Sequence, residues 1–207
     1  MASRDTEPLK QRKQPAQARS RDLVEAVLVA AARILREQGE DALTTARICE
    51  VAGVSPGSLY QYFPTKDAVI YAILRQHAEV VTVAMTGVLA EHRDSDAATL
   101  IGAAVHAFVD AHRTDPAVHA AIGRHVARLA GPGLEEDLLS GAERVLRAIL
   151  EQRQAELRVS PDVGAFLLMR TLEGAVHAAA RDRADLLEDP EFSRGLELLL
   201  RGLVTPA

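Results

Sequence analysis

The strongest constraint on the fold of this chain is a two-residue helix-start signal that recurs along it. A serine or aspartate, whose side chain can accept from the first backbone N–H groups of a helix, is followed by proline or aspartate. This signal occurs at Ser55-Pro56, Ser95-Asp96, Asp115-Pro116, Ser160-Pro161 and Asp189-Pro190. Between the signals, apolar residues recur at helical spacing, and Gly131-Pro132-Gly133 marks a further break. We therefore predict an all-α protein of about nine helices with no strand.

The composition agrees with helices and argues against several other protein classes. Aromatic residues make up 3% of the 207 residues, Trp is absent, and the strong helix formers Ala and Leu abound. The single cysteine, Cys49, excludes an intramolecular disulfide framework and a cysteine zinc site. No run approaches the ~20 apolar residues of a membrane span, and the Arg-, Lys- and Gln-rich start lacks the apolar core of a signal peptide. We expect a cytoplasmic protein with no membrane partner.

The charge is distributed unevenly along the chain. The net charge is −5, yet residues 1–66 carry ten Lys and Arg against eight Asp and Glu, while the remainder carries 14 against 21. Residues 1–19 are polar, contain two prolines and show no periodicity, so we predict a disordered basic tail. A basic arm before a near-neutral small domain suits a protein that meets phosphates at one end only. A merely solubilising tail is the alternative.

Residues 44–66, TTARICEVAGVSPGSLYQYFPTK, carry the functional signal. Two short helices joined by a four-residue turn form a helix-turn-helix, whose second helix can enter the major groove of DNA. Gly53 suits a turn position with positive φ. We expect the second helix to expose Tyr60, Gln61 and Tyr62, because hydroxyls suit phosphate contacts and an amide can read a base edge. Cys49 is expected to be a small buried hydrophobe between the helices.

This segment resembles the DNA-binding domain of the tetracycline-repressor (TetR) family of bacterial regulators. The resemblance rests on Ala-Gly-Val-Ser-x-Gly-Ser-Leu-Tyr-x-Tyr-Phe at 52–63, followed by Pro-x-Lys-Asp at 64–67. It is close over about residues 20–80 and extends to the rest only in helical layout. It implies a helix-turn-helix DNA-binding domain at 20–80, with the motif at 44–63, and a ligand-binding and dimerisation domain at 81–207. The implied function is a transcriptional repressor that binds a palindromic operator as a homodimer and is released by a small molecule.

The family's DNA contacts carry over position by position. The residues implied to contact backbone phosphates are Thr44, which would also cap the first motif helix, Thr45, Ser58, Tyr60, Tyr62 and Lys66. Those implied to contact bases are Arg47, Pro56, Gly57, Tyr60 and Gln61. Ala46 stands where some relatives have a basic residue, and Pro56-Gly57 offers no side-chain donor. Direct readout is therefore expected to be sparse, with DNA shape contributing more.

The C-terminal part offers candidates for a ligand pocket and a dimer interface. Apolar residues that could line a cavity for a small apolar ligand, or else simply form core, are Met85, Phe108, Ile122, Val126 and Met169. Gly174 lies in mid-helix, which costs ~1 kcal/mol relative to Ala and calls for room for a ligand or for a close helix neighbour. The resemblance favours a dimer interface. Its predicted residues are Phe166, Gly174, His177, Leu196, Leu199 and Leu203.

Other chemistries find little support in the residues. His106, His112, His119 and His125 are spaced six or seven apart, which gives no helical ligand pair and hence no predicted metal site. The nucleotide-binding and hydrolase motifs we sought do not occur, so neither an enzyme nor a cofactor is expected. The alternative function is a helical DNA-binding or adaptor protein with no small-molecule effector. The size of the C-terminal part, about 120 residues, argues against it, because it exceeds what dimerisation alone requires.

Overall fold

The computed structural model describes the backbone of residues 18–113 and 134–204, and the side chains of 20–113 and 141–204. Residues 1–17 of the predicted basic tail, the helix start at Asp115-Pro116, and the pocket candidates Ile122 and Val126 lie outside the described residues. Residues 18 and 19 were expected to be disordered, but they form the start of α1. Eight α-helices occur within them: α1 Ala18–Gln38, α2 Thr45–Ala52, α3 Pro56–Tyr62, α4 Lys66–Glu91, α5 Ala97–Arg113, α6 Leu134–Glu151, α7 Pro161–Asp182 and α8 Pro190–Arg201. Three short 3₁₀ turns and one isolated bridge, Leu157 to Val204, complete the described backbone. The all-α prediction is confirmed.

The predicted helix-start signals cap real helices. Ser160 and Asp189 accept from backbone N–H groups at the starts of α7 and α8, with proline as the first helical residue of each. Asp96 accepts from the Thr99 N–H at 2.7 Å, and this hydrogen bond lowers the pKa of the Asp96 carboxyl.

The described residues form two compact units, 18–77 with 134–135, and 78–113 with 136–204. In the first unit α1 packs on α2 and α3. Its core consists of fully buried side chains from all four helices and the connection after α1: Val27, Ile34, Leu43, Ile48, Leu59, Phe63 and Ile70. The short α2 and α3 are therefore held by tertiary packing, which isolated helices of this length need.

The second unit is a helical bundle around one apolar cluster. Its members come from the C-terminal half of α4 and from α5 to α8, and include Met85, Leu100, Phe108, Leu146 and Leu172. The helix α4 runs through both units. Among the described helices it alone is long and apolar enough to cross a membrane by length and composition, with a mean hydropathy of 1.2. Because 44% of that stretch is buried within the structure and core helices pass the same test, this is weak evidence for a membrane span.

The connection between α6 and α7, residues 152–160, ties several helix ends together at one end of the second unit. Arg153 is only 7% exposed. Its guanidinium donates to four backbone carbonyls: Ser95 at 2.9 Å, Ile149 at 3.2 Å, His92 at 3.3 Å, and Arg93. Three of these carbonyls belong to the turn after α4, so a positive charge lies at the negative end of that helix dipole.

The same connection also caps α5 and holds the end of α8. Glu156 Oε2 accepts from the Ala97 backbone N–H at 2.7 Å, which places a carboxylate at the positive end of α5. Arg158 donates to the carbonyls of Leu203 and Val204, through its backbone N–H at 2.8 Å and its Nε at 2.9 Å. The α6–α7 connection is therefore a hydrogen-bonded anchor for the turn from α4 to α5 and for the end of the chain's last helix.

Candidate nucleic-acid interface

Local signals build the helix-turn-helix in the first unit. Thr44 caps α2 by accepting from the Arg47 backbone N–H at 3.1 Å, as predicted. Gly53 ends α2 with φ 65°, the left-handed conformation that favours glycine. Ser55 then accepts from the Ser58 N–H at 3.1 Å and caps α3, with Pro56 in its first turn. The geometry of the turn is thus specified almost residue by residue.

Two candidate phosphate ligands from different helices meet at the surface. The hydroxyls of Thr45 on α2 and Tyr60 on α3 lie 3.2 Å apart, within hydrogen-bond distance. Tyr60 is 45% exposed and Thr45 half-buried. Thr45 is also the first residue of α2, where backbone N–H groups have no acceptor within the helix. Hydroxyls and N–H groups therefore converge on one exposed point, the donor arrangement that an anion binds.

The outer surface of α3 carries the other predicted contacts. Pro56, Gly57 and Gln61 are exposed, and Ser58 is half-buried with its hydroxyl 2.8 Å from that of Ser55. A Cβ added at Gly57 would meet, among described atoms, only Ser55 Oγ at 3.9 Å. The chain's own packing therefore does not require glycine at this position.

Tyr62 is the exception on α3, because it is buried at 5% exposure. Our expectation of an exposed Tyr62 is wrong. The inward face of this short helix is formed by Leu59, Tyr62 and Phe63, at the i, i+3, i+4 spacing of one helical side. The assignment of Tyr62 to a phosphate contact remains a prediction. Lys66, half-buried, begins α4, which Thr65 caps by accepting from the Ala68 N–H at 3.1 Å.

Arg47 has two partners within its own unit. Its Nη1 lies 2.7 Å from Glu50 Oε2, and its Nε donates to Gln38 Oε1 at 3.3 Å. Contact with a base would require exchange of these partners.

Cys49 is buried between the motif helices, as expected for a small core residue, and this burial raises the pKa of its thiol.

The predicted pocket residues that can be placed lie in the core of the second unit. Met85 and Met169 are fully buried and Phe108 is 2% exposed, all within one apolar cluster. Phe108 stacks on the buried His112, with ring centroids 4.4 Å apart, and the His177 ring lies 5.2 Å from that of His112. The described residues include no group of three or more His, Cys, Asp or Glu placed to hold a metal ion.

The predicted interface residues on α7 and α8 divide into exposed and buried sets. Phe166 and Leu199 are 52% and 65% exposed, and an added Cβ at the exposed Gly174 would meet no described atom within 4 Å. The prediction that Leu196 lies at the dimer interface is wrong. Leu196 faces inward with Ser193 and Leu200 and packs in the chain's own core. Leu203 is half-buried against that core, and His177 is half-buried beside His112.

Sequence reasoning missed part of this exposed surface. Val163, Leu167, Leu198 and Gly195 are also exposed. With Phe166, Gly174 and Leu199 they define what we call the apolar face of α7 and α8. The signal was available, because 163, 166, 167 and 174 on α7, and 195, 198 and 199 on α8, each follow the spacing of one helical side.

The fold and the exposed motif define a helix-turn-helix protein, and comparison with known proteins gives its family. Residues 27–73 match the family described as bacterial regulatory proteins, tetR family. Residues 96–203, more than half of the chain, match the tetracyclin repressor-like, C-terminal domain. The chain belongs to the TetR family of DNA-binding transcriptional regulators, whose members dimerise.

Individual relatives agree with this assignment. The HTH-type transcriptional regulator UidR of Escherichia coli K12 is 24% identical over 192 residues, which cover 86% of this chain and 91% of UidR. The nucleoid occlusion factor SlmA of Haemophilus ducreyi is 27% identical over 114 residues, 55% of this chain and 54% of SlmA. A TetR-family regulator from Pectobacterium atrosepticum has the same fold, with a TM-score of 0.72 at 18% identity over 93% of this chain and 99% of that one.

Proposed function

We propose that this regulator is a cytoplasmic repressor that binds a palindromic operator as a homodimer and leaves it when a small molecule binds the second unit. The observation that carries operator binding is the 3.2 Å approach of the Thr45 and Tyr60 hydroxyls. It brings donors from both motif helices to one exposed point. Gln61, Pro56 and Gly57 are left exposed on α3 to face base edges.

The phosphate contacts we propose are those of Thr44, Thr45, Ser58, Tyr60 and Lys66. Tyr62, which is 5% exposed, is the weakest of the predicted phosphate contacts. They fix the position of α3 on the duplex but carry little sequence information. Gln61 is the one exposed α3 side chain with an amide, which can pair with adenine in the major groove. Specificity should therefore depend on few direct contacts, supplemented by the deformability of the operator.

The homodimer interface we propose is the apolar face of α7 and α8. Exposed Phe and Leu side chains at one helical spacing need burial, and the open space beside Gly174 would admit a partner helix. Two motifs must reach half-sites ~34–36 Å apart on one side of the duplex, so a dimer is what a palindromic operator requires.

Release of the operator by a ligand is supported by what is typical of the TetR family and by the size of the second unit. By linkage, a ligand that lowers the affinity for the operator must bind the operator complex more weakly by the same factor. A second candidate is a DNA-binding protein without a small-molecule effector. It is favoured by the complete burial of Met85 and Met169 as core, and by the similarity to a nucleoid occlusion factor.

The test of operator binding is selection from a pool of random DNA duplexes, followed by mobility-shift measurement on the selected sequence. We expect an inverted repeat with half-sites about one helical turn apart. A chain that enriches no sequence would contradict the proposal. Addition of fractionated cell extract to the complex then distinguishes the two candidate functions. A ligand-released repressor should leave the DNA when one low-molecular-weight fraction is added, whereas a DNA-binding protein without an effector should stay bound with every fraction.

A further inference from the structure

The base-contact candidate Arg47 is held by two side chains in the free protein. Its guanidinium pairs with the Glu50 carboxylate at 2.7 Å and donates to the Gln38 amide oxygen at 3.3 Å. Glu50 is three residues further along α2, and Gln38 is the last residue of α1. The Arg47 side chain is 37% exposed and that of Glu50 68%, so both can also be reached from solvent.

A carboxylate at position 50 is costly in a unit that binds DNA. Glu50 is exposed on the same eight-residue helix whose first turn carries Thr44 and Thr45. Its negative charge repels phosphates, and local helix stability explains it only in part, because an exposed pair three residues apart contributes little. A carboxylate at this position has a clearer role if it controls whether the Arg47 guanidinium is available to contact DNA.

We propose that Glu50 is a positioning residue that acts through Arg47 and limits the affinity of the motif for DNA. The proposal rests on the proposed operator binding. Held by Glu50 and Gln38, the guanidinium is kept from pairing with any passing phosphate, which limits binding to random DNA. At the operator, a guanine edge offers two acceptors in the geometry of the guanidinium and displaces the carboxylate.

The magnitudes allow this exchange. A surface ion pair such as Arg47–Glu50 changes an equilibrium by a factor of about five at most. A bidentate arginine contact to guanine discriminates by about 5- to 150-fold. The correct site can therefore break the pair. A single phosphate contact is stabilised mainly by the release of one counterion and has no fixed bidentate geometry. Its free energy therefore exceeds that of the ion pair by much less.

The test is a double-mutant cycle with Glu50→Gln and Arg47→Ala, measured on the selected duplex and on a random duplex over a range of salt concentrations. Glu50→Gln should bind both duplexes more tightly: the selected duplex by about fivefold, because the pair no longer has to be broken there, and the random duplex by less, with a salt slope steeper by about one. In the Arg47→Ala background the same substitution should have less than half this effect. Gln38→Ala, which changes no charge, should act in the same direction.

Glu37→Gln is the matched control, because Glu37 is an exposed carboxylate of the same unit that pairs with Arg33 at 3.0 Å. It removes the same charge but leaves Arg47 held. Equal effects of Glu37→Gln and Glu50→Gln, or equal effects of Glu50→Gln with and without Arg47, would overturn the proposal while leaving operator binding intact. A wild-type chain that enriches no duplex would instead reject the proposed function itself.

Discussion

Gly57 lies in the first turn of α3, where its lack of a side chain has no explanation inside the protein. The position is exposed, its φ is not in the left-handed region, and the nearest described atom to an added Cβ is Ser55 Oγ at 3.9 Å. Glycine in a helix is less favourable than alanine by ~1 kcal/mol. No described residue requires glycine here, and we predict that DNA approaching α3 from outside does.

Gly57→Ala should leave the melting temperature unchanged or slightly higher, because alanine favours the helix and fits the available space. It should weaken operator binding at least tenfold, because a methyl group would keep the DNA from close contact. Parallel thermal unfolding and mobility-shift measurements would check both. Unchanged operator affinity would remove Gly57 from the DNA interface.

Lys66 is the charge assigned to a phosphate at the start of α4. Lys66→Ala should weaken binding to every duplex about equally and reduce the salt slope by ~1. Salt titrations on the selected and a random duplex measure both effects. Arg33→Ala is the control, because Arg33 is 61% exposed and paired with Glu37. A Lys66→Ala protein with the full salt slope would contradict the assignment.

Gln61 should instead affect specificity. Gln61→Ala should relax the preference at one base pair of each half-site and cost ~1–3 kcal/mol on the selected operator alone. Affinities for single-base variants of the operator would locate that pair. If binding to specific and random DNA fell equally, Gln61 would belong with the phosphate contacts.

At the scale of elements, the anchor formed by the α6–α7 connection should decide how firmly the turn from α4 to α5 is held. Arg153→Met would remove the side-chain donor to the carbonyls of Arg93 and Ser95, and would leave the His92 carbonyl with only the Ser95 backbone N–H at 3.0 Å. Loss of these part-buried hydrogen bonds, each worth ~0.5–1.5 kcal/mol, should cost ~2–3 kcal/mol together. Urea unfolding would show this as a lower midpoint.

Arg147→Met is the control for that measurement. Arg147 lies on α6, six residues before Arg153, is 46% exposed and pairs only with exposed carboxylates, those of Asp162 at 3.3 Å and Glu151 at 4.0 Å. It should cost ~0.2–1 kcal/mol at most. Equal losses for the two variants would show that the anchor adds nothing beyond a surface ion pair.

Helix limits could be predicted from the sequence because their signals are local. Thr44, Gly53, Ser55 and Asp189 act within three residues of the helix ends that they set. The anchor could not be predicted, because Arg153 joins carbonyls some 60 residues away, as with Arg93, and backbone acceptors leave no mark on composition. The burial of Tyr62 was likewise missed, because which side of a two-turn helix faces the core depends on how α1 packs.

In the second unit, apolar periodicity identified the helices but not the side that each one buries. Leu196 and Leu199 are three residues apart on α8, and both were expected at an interface. One is 7% exposed and the other 65%. An amphipathic helix with apolar residues around more than half its circumference permits either orientation, and only the packing of α5 against α8 decides.

At the scale of the whole molecule, the apolar face predicts the oligomeric state. Sedimentation at micromolar concentration should give twice the chain mass of 22.3 kDa. Leu199→Asp should give a monomer with little operator affinity, because a buried unpaired charge opposes association. Gly174→Leu should do the same, although a Cβ added there meets no described atom within 4 Å. Val29→Asp, on an exposed apolar residue of α1, should stay dimeric. A wild-type mass near one chain would reject the interface.

The anchor at Arg153 has a further consequence for how this protein tolerates change. The guanidinium binds main-chain oxygens, and every amino acid supplies the same oxygen. The contact with Arg153 therefore constrains the number of residues in 92–95 and not their side chains, since one inserted residue would move the carbonyls out of reach. Natural variants of this turn should differ in amino-acid sequence but not in length. Arg153 itself should resist replacement even by lysine, whose single ammonium group cannot reach four acceptors.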